Sequence, residues 1–293
     1  MLAPLRSTVI LVGATGTGKT FLARHIHRLS PRHAEPFLDR TAAEITEELG
    51  PSQLFGHERG AFTGAHERRS GLFTTAAGGT LLLDELHLMP LRVQALLLRA
   101  LGERVFCPVG SARPQRVNCR LVAGMRECPD ALVERGVLLP DLRYRLGKFV
   151  IRLAPLAERR EEIRFLAEAH LARCPELLGV PGPTRFAADV IPALECAPWP
   201  GNVRELEASV EFAFAHARGD DRVRLAHFGA EIARATVGAM FRRHGDREVN
   251  HRAVHAALSA AGGSRAEAAR LLSVTRKTVG KYVDRSRGER SPK

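Results

Sequence analysis

Thr8-Val9-Ile10-Leu11-Val12 runs without interruption into Gly13-Ala14-Thr15-Gly16-Thr17-Gly18-Lys19-Thr20. The apolar run is far shorter than the ~20 residues that span a bilayer, so it reads as a buried strand rather than a leader or anchor. The G-x-x-x-x-G-K-[ST] spacing lets the backbone wrap tightly, so that N–H groups from Gly13 to Gly18 converge on a phosphate chain. Beyond it Phe21, Leu22, Ile26 and Leu29 recur at helical spacing, which sets the positive end of a helix against the loop. Lys19 is then expected to reach the β- and γ-phosphates, and Thr20 to hold Mg²⁺ through its hydroxyl. A strand, phosphate loop and helix in this order open an α/β fold.

Such a loop needs an acidic partner on a neighbouring strand, and Leu81-Leu82-Leu83-Asp84-Glu85 supplies one. Asp84 is expected in the Mg²⁺ shell, with Glu85 polarising the attacking water. Further strands are predicted at Pro36–Arg40, Val117–Ala123 and Phe149–Leu153. Pro90 opens a helix in which Val93, Leu97 and Leu101 share one face. Five strands alternating with helices imply a mostly parallel, three-layer sheet. From about Glu161 the pattern is wholly helical: Ile163, Leu166, His170 and Leu171 mark one helix, and Val203, Leu206, Val210 and Phe214 another. Asn202 and Glu205 fit a capping box at the start of the second. The five cysteines include no C-x-x-C pair and read as reduced thiols.

Gly60-Ala61-Phe62-Thr63-Gly64-Ala65 follows Leu54-Phe55-Gly56-His57-Glu58-Arg59. Glycines on either side of Phe62 and Thr63 describe a movable loop with an exposed aromatic tip, suited to touching a partner. The string LFGHERGAFTGA resembles the signature of the sigma-54-dependent activators, a class of AAA+ ATPases. GGTLLLDEL at 78–86 is similar to the family's second nucleotide motif, LAERREEI at 156–163 to the start of its lid, and Trp199-Pro200-Gly201-Asn202-Val203-Arg204-Glu205-Leu206 to its WPGNVREL. The resemblance implies an AAA+ P-loop core over 1–155 and a helical lid over 156–233. It makes Arg204 the lid arginine that senses the γ-phosphate. It also implies a homo-oligomeric ring, commonly a hexamer, whose neighbouring subunits lend an arginine, here Arg145, to each other's sites. ATP turnover would drive residues 60–65 against sigma-54 in the RNA polymerase holoenzyme.

Four features depart from the family. Leu138-Leu139-Pro140-Asp141-Leu142-Arg143-Tyr144-Arg145-Leu146 stands where the family has FREDLYYRL, so Leu139 replaces the first finger arginine. Arg126 replaces the asparagine that ends the first sensor strand, and Thr41 replaces the asparagine that typically holds the catalytic glutamate. Only Met1–Ser7 precede the first strand, a shorter lead than the family's. These changes leave Lys19, Thr20, Asp84 and Glu85 intact. They point to slow hydrolysis or to dependence on a related subunit in a mixed ring. With no sensing segment ahead of the motor, regulation is expected from a partner, expression level or DNA occupancy.

The formal net charge of +12 points to an anionic partner, with nucleic acid favoured over membrane. Residues 241–293 hold 13 Lys/Arg against 5 Asp/Glu, so most of the excess sits at the C-terminal end. There 234–247 reads as a linker and 248–293 as a small all-α domain. Ser264-Arg265-Ala266-Glu267 fits a capping box, Ala268, Ala269, Leu271 and Leu272 form an apolar side, and Thr275 caps a second helix with Val279 and Val283 inward. The segment resembles the Fis-type helix-turn-helix. Its second helix would enter the major groove with Arg276, Lys277 and Thr278 towards bases, and Lys281 and Arg285 on phosphate. The whole reads as a cytoplasmic activator that binds enhancer DNA and uses MgATP to remodel the sigma-54 closed complex. The alternative is a DNA-binding regulator that binds ATP and hydrolyses it poorly.

Overall fold

The structure is a computed structural model that describes residues 3–5, 7–147, 149–229, 253–255, 257–258, 261–272 and 274–288, with side chains given as far as Val283. Two compact units divide the chain, Met1–Leu153 and Ala154–Lys293.

The first unit is built on strand β1 (Val9–Val12) and helix α1 (Lys19–Arg28), followed by β2 (Phe37–Thr41). Helix α2 (Gly50–Phe55) leads into the short hairpin β3 (Gly56–His57) and β4 (Arg69–Ser70), and then α3 (Leu72–Thr75). Strand β5 (Thr80–Asp84) and helix α4 (Leu91–Glu103) come next, with a second small hairpin of β6 (Val105–Phe106) and β7 (Gln115–Arg116). Strand β8 (Arg120–Met125), helices α5 (Pro129–Glu134) and α6 (Pro140–Leu146), and strand β9 (Val150–Arg152) complete it. The main sheet runs β2-β5-β8-β1-β9, and every pairing in it is parallel.

Both faces of this sheet are covered, so its central strands β1, β5 and β8 are apolar along their middles instead of alternating. Alternation reappears as a division between two cores. Val9, Leu11, Leu82 and Val122 face Ala23 and Ile26 of α1. Ile10, Val12, Leu81, Leu83, Leu121, Ala123 and Met125 face the other way, onto Val93 and Leu97 of α4 and Leu142 and Leu146 of α6. The result is the three-layer arrangement that the strand and helix pattern implies. Strand β2 lies at the edge and carries charge there: Asp39 pairs with Arg24 at 3.5 Å. Burial raises the Asp39 carboxyl above its ordinary value in spite of that arginine.

The strand read at Val117–Ala123 shifts to Arg120–Met125. Residues 115–116 belong to the small hairpin with β6, and the sheet strand begins only at Arg120. Arg120 itself is buried and donates to the carbonyls of Ala3 and Ser7, fixing the lead into β1. Phe21 and Leu29 also differ from expectation: they are 74% and 61% exposed, because α1 buries the face carrying Ala23, Ile26 and His27 instead.

In the second unit, α7 (Glu161–Leu178), α8 (Val190–Cys196) and α9 (Asn202–His216) share a core of Ile163, Leu171, Leu194, Leu206, Val210 and Phe214, with Trp199 buried beside it. The Trp199 indole donates to Leu194 O at 2.8 Å. The capping box at Asn202 is half right. Glu205 accepts the Gly201 N–H at 2.7 Å, but Gly201 is the cap and Asn202 is the first helical residue. The Asn202 side chain instead accepts the Leu156 N–H, tying the start of the unit to α9. Helices α10 (Arg265–Leu272) and α11 (Arg276–Gly288) pack through Ala268, Leu271, Leu272 and Val279. Ser264 and Thr275 cap them, accepting from the N–H groups of Glu267 and Thr278. The expected linker, 234–247, lies outside the described residues.

Leu97 is fully buried, so Leu97→Ala should cost about 2–5 kcal/mol, read as a lower urea midpoint. His27 sits against Thr80 Oγ1 at 3.0 Å, and burial lowers its pKa from 6.5. The folded state therefore binds fewer protons than the unfolded chain near that pH, and stability must fall as pH drops through about 6.5. Thermal unfolding at pH 7.5 and 5.5 should show this loss, and His27→Gln should shrink it.

Candidate functional site

The loop after β1 closes on itself. Gly13 donates to Met125 O of β8 at 3.0 Å, and a Cβ there would lie 2.7 Å from Thr17 Oγ1. Gly16 and Gly18 take φ values of +79° and +100°, which residues with a Cβ adopt at a cost. Thr15 lies exposed on the outer rim, and Thr17 is buried with its hydroxyl on Ala14 O at 2.8 Å. Lys19 begins α1 and is only 5% exposed. Its ammonium folds back over the loop, donating to Gly13 O at 2.8 Å and approaching Ala14 O at 3.5 Å. Thr20 is half-buried in the first turn beside it. The first N–H groups of a helix have no intrahelical acceptor, so the start of α1 is the place for an anion to meet the ammonium.

Asp84 ends β5, two strands from β1, with β8 between them. Its carboxylate lies over Gly124 of β8, where a Cβ would collide with Oδ1 and sit 2.9 Å from Cγ. Gly124 makes the recess; the sequence places it only within a sensor strand, with nothing to single it out. Asp84 Oδ1 accepts the N–H of Glu85 at 2.9 Å. Glu85 adopts φ +56°, a conformation rare outside glycine, and this turns its side chain back towards the loop. Glu85 Oε1 is 3.9 Å from Lys19 Nζ. Its Oε2 lies 2.6 Å from Arg126 Nε and 3.7 Å from His87 Nε2. Burial lowers the pKa of His87; nearby Glu85 opposes that shift and Arg126 adds to it. Thr41 is in register with Asp84 across β2 and β5.

These residues fit a nucleotide with a divalent ion. The Thr20 hydroxyl and the Asp84 carboxylate are hard oxygen donors of the kind Mg²⁺ takes, and the Gly124 recess leaves the Asp84 carboxylate room. Arg145 is exposed on α6, with its guanidinium beside Gly102 at the end of α4. Leu139 caps α6, is packed against the core, and its N–H donates to the buried Gln94. Arg204 is exposed in the first turn of α9.

The Gly60–Ala65 loop is folded at its base: Gly60 donates to Ala65 O at 2.8 Å, and Ala65 to Phe62 O at 3.0 Å. Thr63 and Gly64 are exposed, and Ala61 is half-buried. Phe62 is only 40% exposed, a smaller exposure than a free aromatic tip would have. Its ring meets His57 edge-on at 4.9 Å, and His57 Nδ1 bonds Ser52 Oγ at 2.7 Å. The 107–114 hairpin loop braces the same base, because Glu58 donates to Val109 O and Val109 to Gly56 O.

At the C-terminal end Arg276, Lys277 and Lys281 are exposed along α11 and line an open concavity together with Arg265 and Gly280. Arg265 escaped the sequence reading because its position there served only as a cap. Thr278 is half-buried with its hydroxyl on Thr275. Arg285 lies on the same helix, but its side chain falls outside those described.

Residues 1–152 match the sigma-54 interaction domain, 157–241 the AAA+ ATPase lid domain, and 247–281 the Fis family of bacterial regulatory proteins. The chain belongs to the sigma-54-dependent transcriptional regulators. This regulator is 40% identical over 291 residues to the transcriptional regulatory protein ZraR of Klebsiella oxytoca, covering 95% of this chain and 63% of the relative. It is 43% identical over 218 residues to the Nif-specific regulatory protein of Herbaspirillum seropedicae, covering 74% and 40%. NtrX from Brucella abortus, solved in complex with ADP, superposes with a TM-score of 0.71 at 28% identity, over 97% of this chain and 65% of that one. The same protein in complex with ATP gives 0.69 at 29% identity, over 97% and 64%. The regulator thus spans less than two thirds of the length of these relatives. Among the described residues, no helix is long and apolar enough to cross a membrane.

Gly124→Ala should displace Asp84 and lower the Mg²⁺-dependent part of nucleotide affinity by roughly tenfold. Titration of a fluorescent ATP analogue with and without Mg²⁺ measures this; affinity in the absence of the ion should change little.

Proposed function

We propose that this regulator hydrolyses MgATP and uses the energy to remodel the closed complex of the sigma-54 RNA polymerase holoenzyme from an enhancer site. The observation that carries this reading is the meeting of Lys19 and Glu85 at 3.9 Å, with Asp84 seated beside them. A phosphate-binding cation and a carboxylate able to orient water face the same small space. Lys19 and the loop amides would hold the phosphates, and Glu85 would align the attacking water. Mg²⁺, held by Thr20 and Asp84, would neutralise charge on the phosphates. NtrX, solved with ADP and with ATP, supports the same ligand here.

The exposed Arg145 suits a finger lent to a neighbouring subunit, which favours a ring of copies, hexameric by kinship or mixed with a related subunit. Arg204 on the lid would sense the γ-phosphate. Residues 60–65, with Thr63 outermost, would contact sigma-54. The division of labour is then core 1–155, lid 156–233, linker 234–247 and DNA reader 248–293. In the reader, Arg276, Lys277 and Thr278 would contact bases, and Lys281 and Arg285 would contact phosphate. A protein that acts on RNA polymerase and promoter DNA works in the cytoplasm.

Two observations favour the second reading, a DNA-binding regulator that binds ATP and turns it over slowly. Glu85 is engaged by Arg126, and the apolar Leu139 stands where a finger cation would be.

Transcription in vitro from a sigma-54 promoter separates the two. Thr63→Ala and Glu85→Gln should each abolish activation, and Glu85→Gln should lower ATP turnover about a hundredfold while sparing ATP binding. Activation by both variants at the wild-type level would overturn the motor reading.

A further inference from the structure

We propose that Arg126 is a latch on Glu85: it holds the carboxylate off the attacking water and so limits the rate of turnover. The inference rests on the ATPase reading above and specifies what restrains that site.

The geometry is asymmetric. The side chain of Glu85 is 12% exposed and that of Arg126 is 53% exposed. An anion at that depth needs a counter-charge, whereas a guanidinium reaching in from solvent can leave at little cost. Among the described residues, Arg126 Nε at 2.6 Å from Oε2 is the one close charged contact the carboxylate makes, an ion pair without hydrogen-bond alignment. Lys19 and His87 stand beyond hydrogen-bonding distance, at 3.9 Å and 3.7 Å. Lys19 is moreover occupied by the Gly13 carbonyl at 2.8 Å.

The backbone leaves the side chain as the only moving part. The Glu85 N–H is held by Asp84 Oδ1, and its φ of +56° is fixed between β5 and the following turn. Residue 41, in register with Asp84 on the neighbouring strand, is a threonine whose short hydroxyl makes no bond to Glu85 among the described residues. The carboxylate therefore has no neutral resting partner on β2, and the cation at the end of β8 takes that place. Arg126 follows Met125, whose carbonyl accepts from Gly13 at the start of the phosphate loop, so the latch is anchored beside the nucleotide. A γ-phosphate offers the guanidinium a planar, bidentate alternative to the carboxylate. Arg126 then acts through Glu85 as a positioning residue: it is paired with the carboxylate when the pocket lacks that phosphate and drawn from it when the phosphate is present.

The test is steady-state ATP hydrolysis by the full chain at one fixed protein concentration. Arg126→Asn and Arg126→Gln should raise kcat about threefold to fivefold, the worth of a half-exposed ion pair, with KM for ATP within about twofold. Arg126→Lys, which restores a cation without the fork, should fall between them and the wild type. Glu85→Gln should lower turnover about a hundredfold in every background. Turnover that depends on Glu85 but is unchanged or lower in both neutral variants would overturn the latch and leave the ATPase reading standing. A rise confined to KM would overturn it as well, making Arg126 a simple phosphate contact. Absence of Glu85-dependent turnover in all backgrounds would overturn the ATPase reading and the latch together.

Discussion

Strand β8 lies in parallel register between β5 and β1, and the site depends on that placement. Leu82 pairs with Val122, and Val9 pairs with Val122 from the other side. The carboxyl ends of three strands therefore arrive together: β1 delivers the phosphate loop, β5 delivers Asp84 and Glu85, and β8 delivers Arg126. Parallel sheets collect ligands at this edge because successive strands all end there. The register is held by burial. Leu81, Leu82 and Leu83 are fully buried, each contributing about 2 kcal/mol, and a slip by one residue would exchange the two cores of the sheet. Close approach of β5 and β8 also requires that position 124 carry no side chain, which makes a glycine inside a strand part of the chemistry.

The partner loop stands on a separate, aromatic footing. Phe55, Phe73 and Phe106 form a triangle with centroids 5.5–5.8 Å apart, joining α2, α3 and β6 beneath the loop. On that base the 60–65 loop is held by two backbone hydrogen bonds of its own, by those of Ala61 to Glu58 O and of His66 to Gly64 O, and by the contact of Phe62 with His57. Such a loop, lightly held on a rigid base, can take two positions without disturbing the core.

Much of this was legible in the sequence, because periodicity and turn chemistry are local. The strands near Val9, Phe37, Thr80 and Val150, the helix after Pro90 and the caps at Ser264 and Thr275 all follow from neighbouring residues. What escaped depended on contacts between distant segments. The start of β8 moved to Arg120 because residues 115–116 pair with β6. Phe21 and Leu29 are apolar at helical spacing, yet α1 turns a smaller face, with Ala23 and Ile26, to the sheet. Asn202 looked like a cap and instead accepts the Leu156 N–H, since Gly201 takes the cap position and Asn202 is the first helical residue. The residue chemistry at Lys19, Asp84 and Glu85 could be named from spacing alone. The pairing of Glu85 with Arg126 could not, because it needs the positive φ at Glu85 and the ends of two different strands.

The central claim is that the state of the nucleotide pocket is passed to the Phe62–Thr63 tip. Hydrogen–deuterium exchange of the full chain, compared between ADP and a non-hydrolysable ATP analogue with Mg²⁺, tests it directly. The account predicts that the amides of Gly60 and Ala65 exchange faster with the triphosphate as the folded tip opens, while those of the loop around Gly18 and Lys19 become protected. Protection of the phosphate loop with no change across residues 56–66 would contradict it.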